Sequence, residues 1–367
     1  MEDAFGRTAP FTVGIEEEFQ VVSAESYELV PRFDDVAEAA DDERIHQELM
    51  TSVLEAATGI HGTVADAITE AREIRRLLRD AAAQRDALIA SAGTHPFSRW
   101  EHQEITQAPR YQGLVEELRW VAEQVAIFGL HVHVGMPDGD TAAVVTNALR
   151  TFVPELLALS ANSPFWQARE TGLASTRSKV FDTMPRTGIP PRFDTFAEFV
   201  ALVESGTRAG FFDDYTYIWW DVRPHPKLGT VELRAFDAQT RIESVGALVA
   251  LAQSLAATVV DASPAPQPRT LIAENRWRAA RYGLEAELVD LASGRVRPAR
   301  DAIRELLELA APAAERLGCA AELEEVDRLC ERGSGADEQR RLYDQEGSLL
   351  AVAKWLAATT VADLAVA

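Results

Sequence analysis

Lysine and cysteine are scarce in this sequence of 367 residues, which contains three lysines and two cysteines. The cysteines, Cys319 and Cys330, match neither the CxxC spacing of redox motifs nor the spacing of a zinc site. We expect them to be structural thiols in a reducing compartment. Arginine supplies nearly all of the positive charge, and the net charge is −22. Because no basic cluster interrupts this acidic balance, it argues against nucleic acid and anionic membranes as partners.

Long apolar runs and targeting signals are also lacking. The longest apolar stretch, residues 245–260, contains Gln253 and Ser254. It is shorter than the roughly 20 residues that a membrane span needs, so it predicts a buried helix. Residues 1–10 are mixed and acidic, unlike a signal peptide. These features predict a cytoplasmic protein.

Three common site motifs are absent as well. The sequence contains no GxxxxGK[ST] loop and no GxGxxG turn, so a nucleotide would have to be bound without a glycine-rich loop. It contains no HExxH motif, which removes one common type of zinc hydrolase.

The order of the segments favours an α+β fold, because strand-like and helix-like stretches alternate irregularly without βαβ periodicity or repeats. The predicted strands cover residues 12–22, 130–136, 215–223 and 230–237. The predicted helices cover residues 63–92, 114–128, 141–161 with a kink at Pro154, and 245–260. We expect a catalytic domain over residues 1–261. A proline-rich linker over 262–269 opens a helical region, 262–367, that we expect to pack on the same domain.

Three predicted strands carry ionisable residues on a single face. Alternate residues of a strand point to opposite sides of a sheet, and the other face of each strand is apolar. The polar faces carry Glu16, Glu18 and Gln20 in segment 13–21, His131 and His133 in segment 130–136, and Glu232 and Arg234 in segment 230–236. Glu17 falls on the apolar face, where we expect it to pair with an arginine or to mark a bulge.

Two interpretations of these faces are open. Each face could simply be solvated, as in most antiparallel sheets. Alternatively, the three faces line one polar cavity, in which neighbouring carboxylates would need a cation between them. Oxygen-rich clusters suit Mg²⁺ or Mn²⁺, and a histidine ligand shifts the balance toward Mn²⁺. Glu48 and Glu55 could add ligands, but their side chains align only if the segment between them is helical, and the sequence does not decide this.

Ten motifs in order resemble the type 2 glutamate–cysteine ligases, also called carboxylate–amine ligases. The resemblance covers residues 12–285 and rests on GIEEEF (14–19), ELMTSVLEAATG (48–59), GTHPFSRW (93–100), PRY (109–111), GLHVHVG (129–135), NSPFW (162–166), STRSKVFDTMPRTGIP (175–190), WWDVRP (219–224), GTVELRAFD (229–237) and ENRWRAARYG (274–283). It implies a glutamine-synthetase-like fold, with a curved antiparallel sheet flanked by helices. It also implies ATP and Mg²⁺ as cofactors, an acyl-phosphate intermediate, and glutamate and cysteine or another amine as substrates. A homodimer is compatible with it.

The resemblance also implies roles for individual residues. The implied metal ligands are Glu16, Glu18, Glu48, Glu55, His131 and Glu232. The implied catalytic arginines are Arg234, Arg223 and Arg177, with Arg110 and Arg186 as further candidates for holding carboxylate or phosphate. The implied nucleotide-binding residues are Arg234, Asn275 and Arg278, of which the last two could instead belong to a capped, salt-bridged helix. Trp219 is expected in the core or the cavity wall.

Two other functions remain open from the residues alone. His-x-His with carboxylates also suits a metal-dependent amide hydrolase. A non-catalytic protein that binds an amino acid or a metal ion is the third possibility.

Overall fold

The computed structural model describes residues 1–262, 264–362 and 364. The strands are β1 (Val13–Ser23), β2 (Ile45–Gln47), β3 (Val53–Ala57), β4 (Ala87–Ala90), β5 (Gly129–Gly135), β6 (Phe165–Trp166), β7 (Arg169–Glu170), β8 (Thr187–Gly188), β9 (Trp219–Trp220), β10 (Val222–His225), β11 (Thr230–Asp237), β12 (Glu287–Val289) and β13 (Val296–Pro298). The helices are α1 (Phe33–Ala40), α2 (Val64–Ala83), α3 (Pro109–Leu118), α4 (Trp120–Glu123), α5 (Gly139–Ser160), α6 (Thr176–Phe181), α7 (Phe196–Arg208), α8 (Ile242–Asp261), α9 (Arg269–Tyr282), α10 (Ala299–Leu317), α11 (Ala320–Arg332), α12 (Gly335–Glu346) and α13 (Leu349–Thr360).

A seven-stranded antiparallel sheet organises the protein. Its strand order is β10-β11-β5-β1-β3-β2, and β4 pairs with the C-terminal part of β1. Each neighbouring pair in this order is antiparallel. The separate β6–β7, β8–β9 and β12–β13 ladders are two-stranded. The mixture of helices with an antiparallel sheet confirms the α+β prediction.

The apolar face of the sheet packs on the two longest apolar helices, α5 and α8. Side chains from β1, β5 and β11 form one buried cluster with side chains from α5, α8 and α10. By length and composition α5 and α8 could each cross a membrane, but 78% and 89% of their apolar windows are buried inside the protein. Central core helices have this composition, and the buried helix predicted for residues 245–260 is confirmed.

The region that follows the proline-rich segment packs back on the sheet domain. Helices α10 and α11 contact α8, and α13 contacts β4. The expectation that this region is entirely helical is wrong, because β12 and β13 pair as a hairpin between α9 and α10. Cys319 is buried and Cys330 is half-buried, and both are free thiols, as predicted.

Three predicted elements are divided in the structure. The helix predicted for residues 63–92 ends at Ala83, and Ala87–Ala90 instead pair with β1. The helix predicted for 114–128 is replaced by α3 and α4, which are separated at Arg119, where φ is +52°. The strand predicted for 215–223 is a 3₁₀ turn followed by the short strands β9 and β10.

Candidate active site

The register of the sheet brings the predicted polar faces side by side. Across β1 and β5, Glu16 lies opposite His131, and across β1 and β3, Glu18 lies opposite Glu55. Across β11 and β10, Glu232 lies opposite Arg223. Across β11 and β5, Glu232 lies opposite His133. Opposed residues in an antiparallel pair have neighbouring side chains, so these four strand pairings gather acids, two histidines and an arginine on one surface.

Contacts at the centre of this surface join a carboxylate to two histidines. Nδ1 of His131 lies 3.0 Å from Oε2 of Glu16, and Nε2 of His133 lies 3.3 Å from Oε1 of the same carboxylate. Nε2 of His131 points toward Glu18, whose Oε1 lies 3.9 Å away. If Nδ1 of His131 donates its proton to Glu16, Nε2 presents a lone pair on the side of Glu18.

The same groups have the composition of a divalent cation site. Donor atoms of Glu16, His131 and Glu232 lie within 4.8 Å of one another, and so do donor atoms of Glu18, Glu55 and His131. Nε2 of His131 is buried and makes no hydrogen bond among the described residues. A buried polar atom without a partner is costly, and a metal ion would satisfy it. Several carboxylate oxygens with one imidazole fit Mg²⁺ or Mn²⁺.

The acidic half of the site favours added positive charge. Burial, followed by the charge of Glu18, raises the pKa of Glu48 to about 7. Burial and the charges of Glu16, Glu48 and Glu18 raise the pKa of Glu55 well above its ordinary value. A bound cation removes the same repulsion that protonation would remove, so these carboxylates fit a metal site.

Arginines surround the other half of the site, at Glu232. Nε of Arg223 lies 2.6 Å from Oε2 of Glu232, and Arg234 pairs with the other carboxylate oxygen. Burial raises the pKa of Glu232, but Arg223 and Arg234 outweigh burial and hold it well below its ordinary value. One carboxylate thus compensates two buried guanidinium groups, and the remaining positive charge is available to an anionic ligand.

Arg177 approaches the sheet from α6. The residue is 4% exposed, its Nη1 donates to the Arg234 carbonyl over 3.3 Å, and its Nε makes no hydrogen bond among the described residues. Its guanidinium lies directly on Gly129, where a Cβ would overlap it. Glycine at the start of β5 therefore makes room for the arginine.

These groups line a cavity of about 330 Å³. Its walls are Glu16, Glu18, Glu48, Leu49, Val53, Glu55, Arg110, Tyr111, Leu114, Val125, Ile127, His131, Arg177, Phe181, Met184, Thr216, Tyr217, Trp219, Arg223, His225, Glu232 and Arg234. The N-terminal turn of α3 forms part of its wall and is held there by two hydrogen bonds, from Tyr111 to the Gln47 carbonyl over 2.7 Å and from Arg110 to Thr216 over 3.2 Å. The cavity therefore combines an acidic half, an arginine half and an apolar wall.

Most of the residues singled out from the sequence meet in this cavity. All six proposed metal ligands and the three proposed catalytic arginines line it, as do Arg110 and Trp219. Glu48 and Glu55 both reach it although the second lies on a strand, because a turn at residues 51–52 separates them. The two side chains can therefore face the same cavity, although they would point to opposite faces of a single regular strand.

Asn275 and Arg278 do not line the cavity. The amide of Asn275 exchanges hydrogen bonds of 2.7 and 2.9 Å with the backbone of Val289, which fixes the end of β12. Arg278 pairs with Glu274 one turn earlier on α9, over 3.4 Å. The salt-bridged helix is thus the alternative that these contacts support. Arg186 does not line the cavity either. Its guanidinium packs on Trp219 of the cavity wall, 5.3 Å from the ring centroid.

Two residues at the site were missed as candidates, although the sequence motifs contain both: His133, which lies beside the cavity, and Tyr111, which lines it. His133 shares the His-x-His face and contacts Glu16, and strand parity already placed it there. Tyr111, in the PRY motif, lies near the acidic half, where burial and the charges of Glu48 and Glu55 raise its pKa. A tyrosine in a helix gives no parity signal, so only packing could place it.

Glu17 has its partner on the opposite, apolar side of β1. Its carboxylate is bound by Arg75 of α2, whose Nε lies 3.2 Å from Oε2 of Glu17. Arg75 is fully buried and also donates to the carbonyls of Gln239, Thr240 and Thr360. Pairing with an arginine, the first alternative for Glu17, is confirmed.

Comparison with solved structures identifies the fold. A glutamate–cysteine ligase from Francisella tularensis, solved in complex with AMP, superposes with a TM-score of 0.73, covering 99% of this chain and 91% of that chain at 14% identity. A bifunctional glutathione synthetase from Pasteurella multocida superposes with a TM-score of 0.69, covering 97% of this chain and 53% of that chain at 15% identity. These likenesses confirm the fold that the sequence resemblance implied.

Sequence comparison supplies the family. A protein from Rubrobacter xylanophilus with the provisional name glutamate–cysteine ligase 2-3 is 47% identical over 364 residues, covering 98% of this chain and 100% of that protein. The family model of glutamate–cysteine ligase family 2 matches residues 12–354. The chain therefore belongs to glutamate–cysteine ligase family 2.

Proposed function

We propose that this protein is an ATP-dependent carboxylate–amine ligase that joins the side-chain carboxylate of glutamate to an amine, with cysteine as the leading candidate. The observation that carries the proposal is the single cavity in which five glutamates and a histidine face three arginines, of which Arg177 and Arg223 are buried. Family membership and the AMP-bound structural relative support a nucleotide-using ligase.

The chemistry requires the carboxylate to be activated, because its oxygen is a poor leaving group. Transfer of the γ-phosphoryl group of ATP to a carboxylate oxygen forms an O–P bond and releases ADP. The amine nitrogen then attacks the carbonyl carbon, the C–O bond breaks, phosphate leaves, and the nitrogen loses a proton as the amide forms. Catalysis of such a step is mainly positioning and charge neutralisation.

The arginine half fits the phosphoryl-transfer role. Arg223 and Arg234 are held against Glu232 in fixed orientations, and Arg223 also donates to the Ile218 carbonyl over 2.6 Å. Their charges would therefore be in place to stabilise phosphate before it binds. Arg177 adds a buried guanidinium from a separate element. Planar guanidinium groups bind phosphate and carboxylate oxygens through paired hydrogen bonds.

The acidic half fits the metal. Glu16, Glu18, Glu48, Glu55 and His131, together with Glu232 of the arginine half, would hold Mg²⁺ or Mn²⁺, and the bound ion would supply neutralisation of nucleotide phosphate charge. His131 is suited to ligation because burial, and then the charge of Arg234, lowers its pKa and keeps its imidazole neutral.

The test is ADP release from Mg-ATP by the purified protein, with and without glutamate and a panel of amines that includes cysteine. We expect ADP release that depends on both amino substrates, and an amide product by mass spectrometry. Glu18→Gln and Glu55→Gln should reduce turnover at least about a hundredfold while the protein stays folded, since each removes a ligand but no arginine partner. Glu308→Gln, at an exposed position on α10, is the matched control.

The other outcomes separate the remaining functions. Hydrolysis of amides without ATP would favour the metal-dependent amide hydrolase. If neither reaction occurs while the protein binds Mg²⁺ and glutamate, the binding protein is favoured. Full turnover by both carboxylate variants would contradict the metal site even if the ligase activity were present.

A further inference from the structure

Arg276 of α9 lies outside the cavity but contacts the segments that carry its arginines. Its side chain is 7% exposed. Nη1 donates to Oδ2 of Asp182 over 2.8 Å, and Nη2 donates to Oδ1 of Asp221 over 3.0 Å. Nε lies 2.7 Å from the second carboxylate oxygen of Asp221. One guanidinium group therefore joins two carboxylates that are distant in sequence.

The first carboxylate belongs to the element that carries Arg177. Asp182 is the C-cap residue of α6, and its backbone N–H bonds back to the Ser178 and Val180 carbonyls. The second turn of this short helix is therefore tied to α9. The N-terminal end of α6 is held separately, because Ser175 Oγ donates to Asp237 over 2.8 Å and the backbone N–H of Arg177 donates to Ser163 Oγ over 3.1 Å. Arg276 therefore fixes the C-terminal end of the helix that carries Arg177.

The second carboxylate belongs to the junction that carries Arg223 and adjoins Arg234. Asp221 lies between β9 and β10, two residues before Arg223. Its carbonyl accepts a hydrogen bond of 2.8 Å from the backbone N–H of Arg234, at the irregularity in the β11–β5 pairing. A shift of Asp221 would therefore move the backbone of both arginine-bearing strands.

We propose that Arg276 is a positioning residue for the phosphate-binding arginines, acting through Asp182 on Arg177 and through Asp221 on Arg223 and Arg234. This inference rests on the proposed ligase function. It assigns Arg276 no contact with substrate, because its donors all face the two carboxylates. A planar guanidinium can bridge them both at once, whereas a lysine ammonium, as a point charge, can neutralise only one of them well.

The test compares Arg276→Lys with Arg281→Lys, an arginine-to-lysine change on the same helix at a residue that bonds the Gly172 carbonyl. Three quantities are measured: kcat and KM for Mg-ATP, the Kd for Mg-ADP by calorimetry, and the thermal unfolding midpoint. Arg276→Lys should lower kcat by about tenfold to a hundredfold, as expected from misplaced charged groups, and should weaken Mg-ADP binding, while remaining folded at the assay temperature. Arg281→Lys should keep both values within about twofold of the wild type.

The proposal is overturned if folded Arg276→Lys keeps its kcat and its Mg-ADP affinity within about twofold of the wild type. If Arg276→Lys does not fold, Asp182→Asn decides, because Asp182 is 25% exposed and its replacement removes the link between Arg276 and α6 while leaving the pair with Asp221 in place. The same change also removes the Lys179–Asp182 ion pair within α6, so Lys179→Gln is its control. Unchanged Mg-ADP affinity in Asp182→Asn then overturns the proposal. Absence of turnover in the wild type would overturn the ligase function alone, since the Mg-ADP comparison still measures the placement of the arginines.

Discussion

Glu155 is a buried carboxyl in the middle of α5, and it makes the stability of the protein depend on pH. Its side chain is 8% exposed, and Oε2 makes no hydrogen bond among the described residues. The nearest cation, Nη2 of Arg297, lies 3.8 Å from Oε1. Burial raises the pKa of Glu155 from its ordinary value of 4.5 to about 7.

The direction of the effect follows from proton binding. Between pH 4.5 and 7 the folded protein retains a proton that the unfolded chain has released, so the free energy of unfolding falls as the pH rises through this window. At about 1.36 kcal/mol per pH unit, the displaced pKa corresponds to about 3 kcal/mol of lost stability at pH 8. Glu155→Gln removes the ionisation and keeps the shape. We expect it to raise the free energy of unfolding by about 3 kcal/mol at pH 8 and by less than about 1 kcal/mol at pH 5.

Urea denaturation at pH 5 and pH 8 measures both values, with exposed Glu308→Gln as the control for loss of one negative charge. A gain of equal size at both pH values would mean that general charge repulsion is responsible. A loss of stability at pH 8 would refute the reasoning, because it would mean that the ionised carboxylate of Glu155 stabilises the fold.

Three further predictions concern ionic groups. Glu232→Gln should lower the free energy of unfolding by about 3–5 kcal/mol in urea titrations, because it leaves two buried guanidinium groups uncompensated; a loss below about 1 kcal/mol would contradict the pairing. Arg75→Met should lower the free energy of unfolding by a similar amount, and adding Glu17→Gln should restore much of that loss. A double-mutant cycle measures both effects, and additive losses would contradict the coupling between the two residues. His131→Asn should reduce the stabilisation by Mn²⁺ more than that by Mg²⁺ in thermal unfolding, and equal reductions would count against an imidazole ligand.

Strand parity found the site because period-two alternation is a local property of the chain. Glu16, Glu18, His131 and Glu232 lie on strands whose opposite faces are apolar, so burial of one face forces the other to point away from the core. The prediction of a shared polar surface agrees with the cavity. Parity could not predict the order of the strands. β1 pairs with β3 on one side and with β5 on the other, and both strands lie far from it along the chain.

Prediction from the local sequence pattern was wrong where a segment suited two types of secondary structure equally well. Residues 87–90 are apolar and suit a continued helix, but pairing with β1 makes them a strand. Residues 219–220 are split from the following strand because they pair in parallel with β8, at residues 187–188. In both places a strand distant in sequence supplies the backbone hydrogen bonds. Such tertiary contacts outweigh the weak preference of a short segment for one type of secondary structure.

The sequence by itself determined the α+β class, the family and the chemical nature of the site, because residue types and their alternation are written in the chain. Tertiary structure alone decided which polar groups meet. It placed Tyr111 at the acidic half, removed Asn275 and Arg278 from the cavity, and joined Arg276 to carboxylates 94 and 55 residues away. Such contacts depend on how elements that are distant in sequence pack together, and the hydrophobic periodicity of a segment does not indicate that packing.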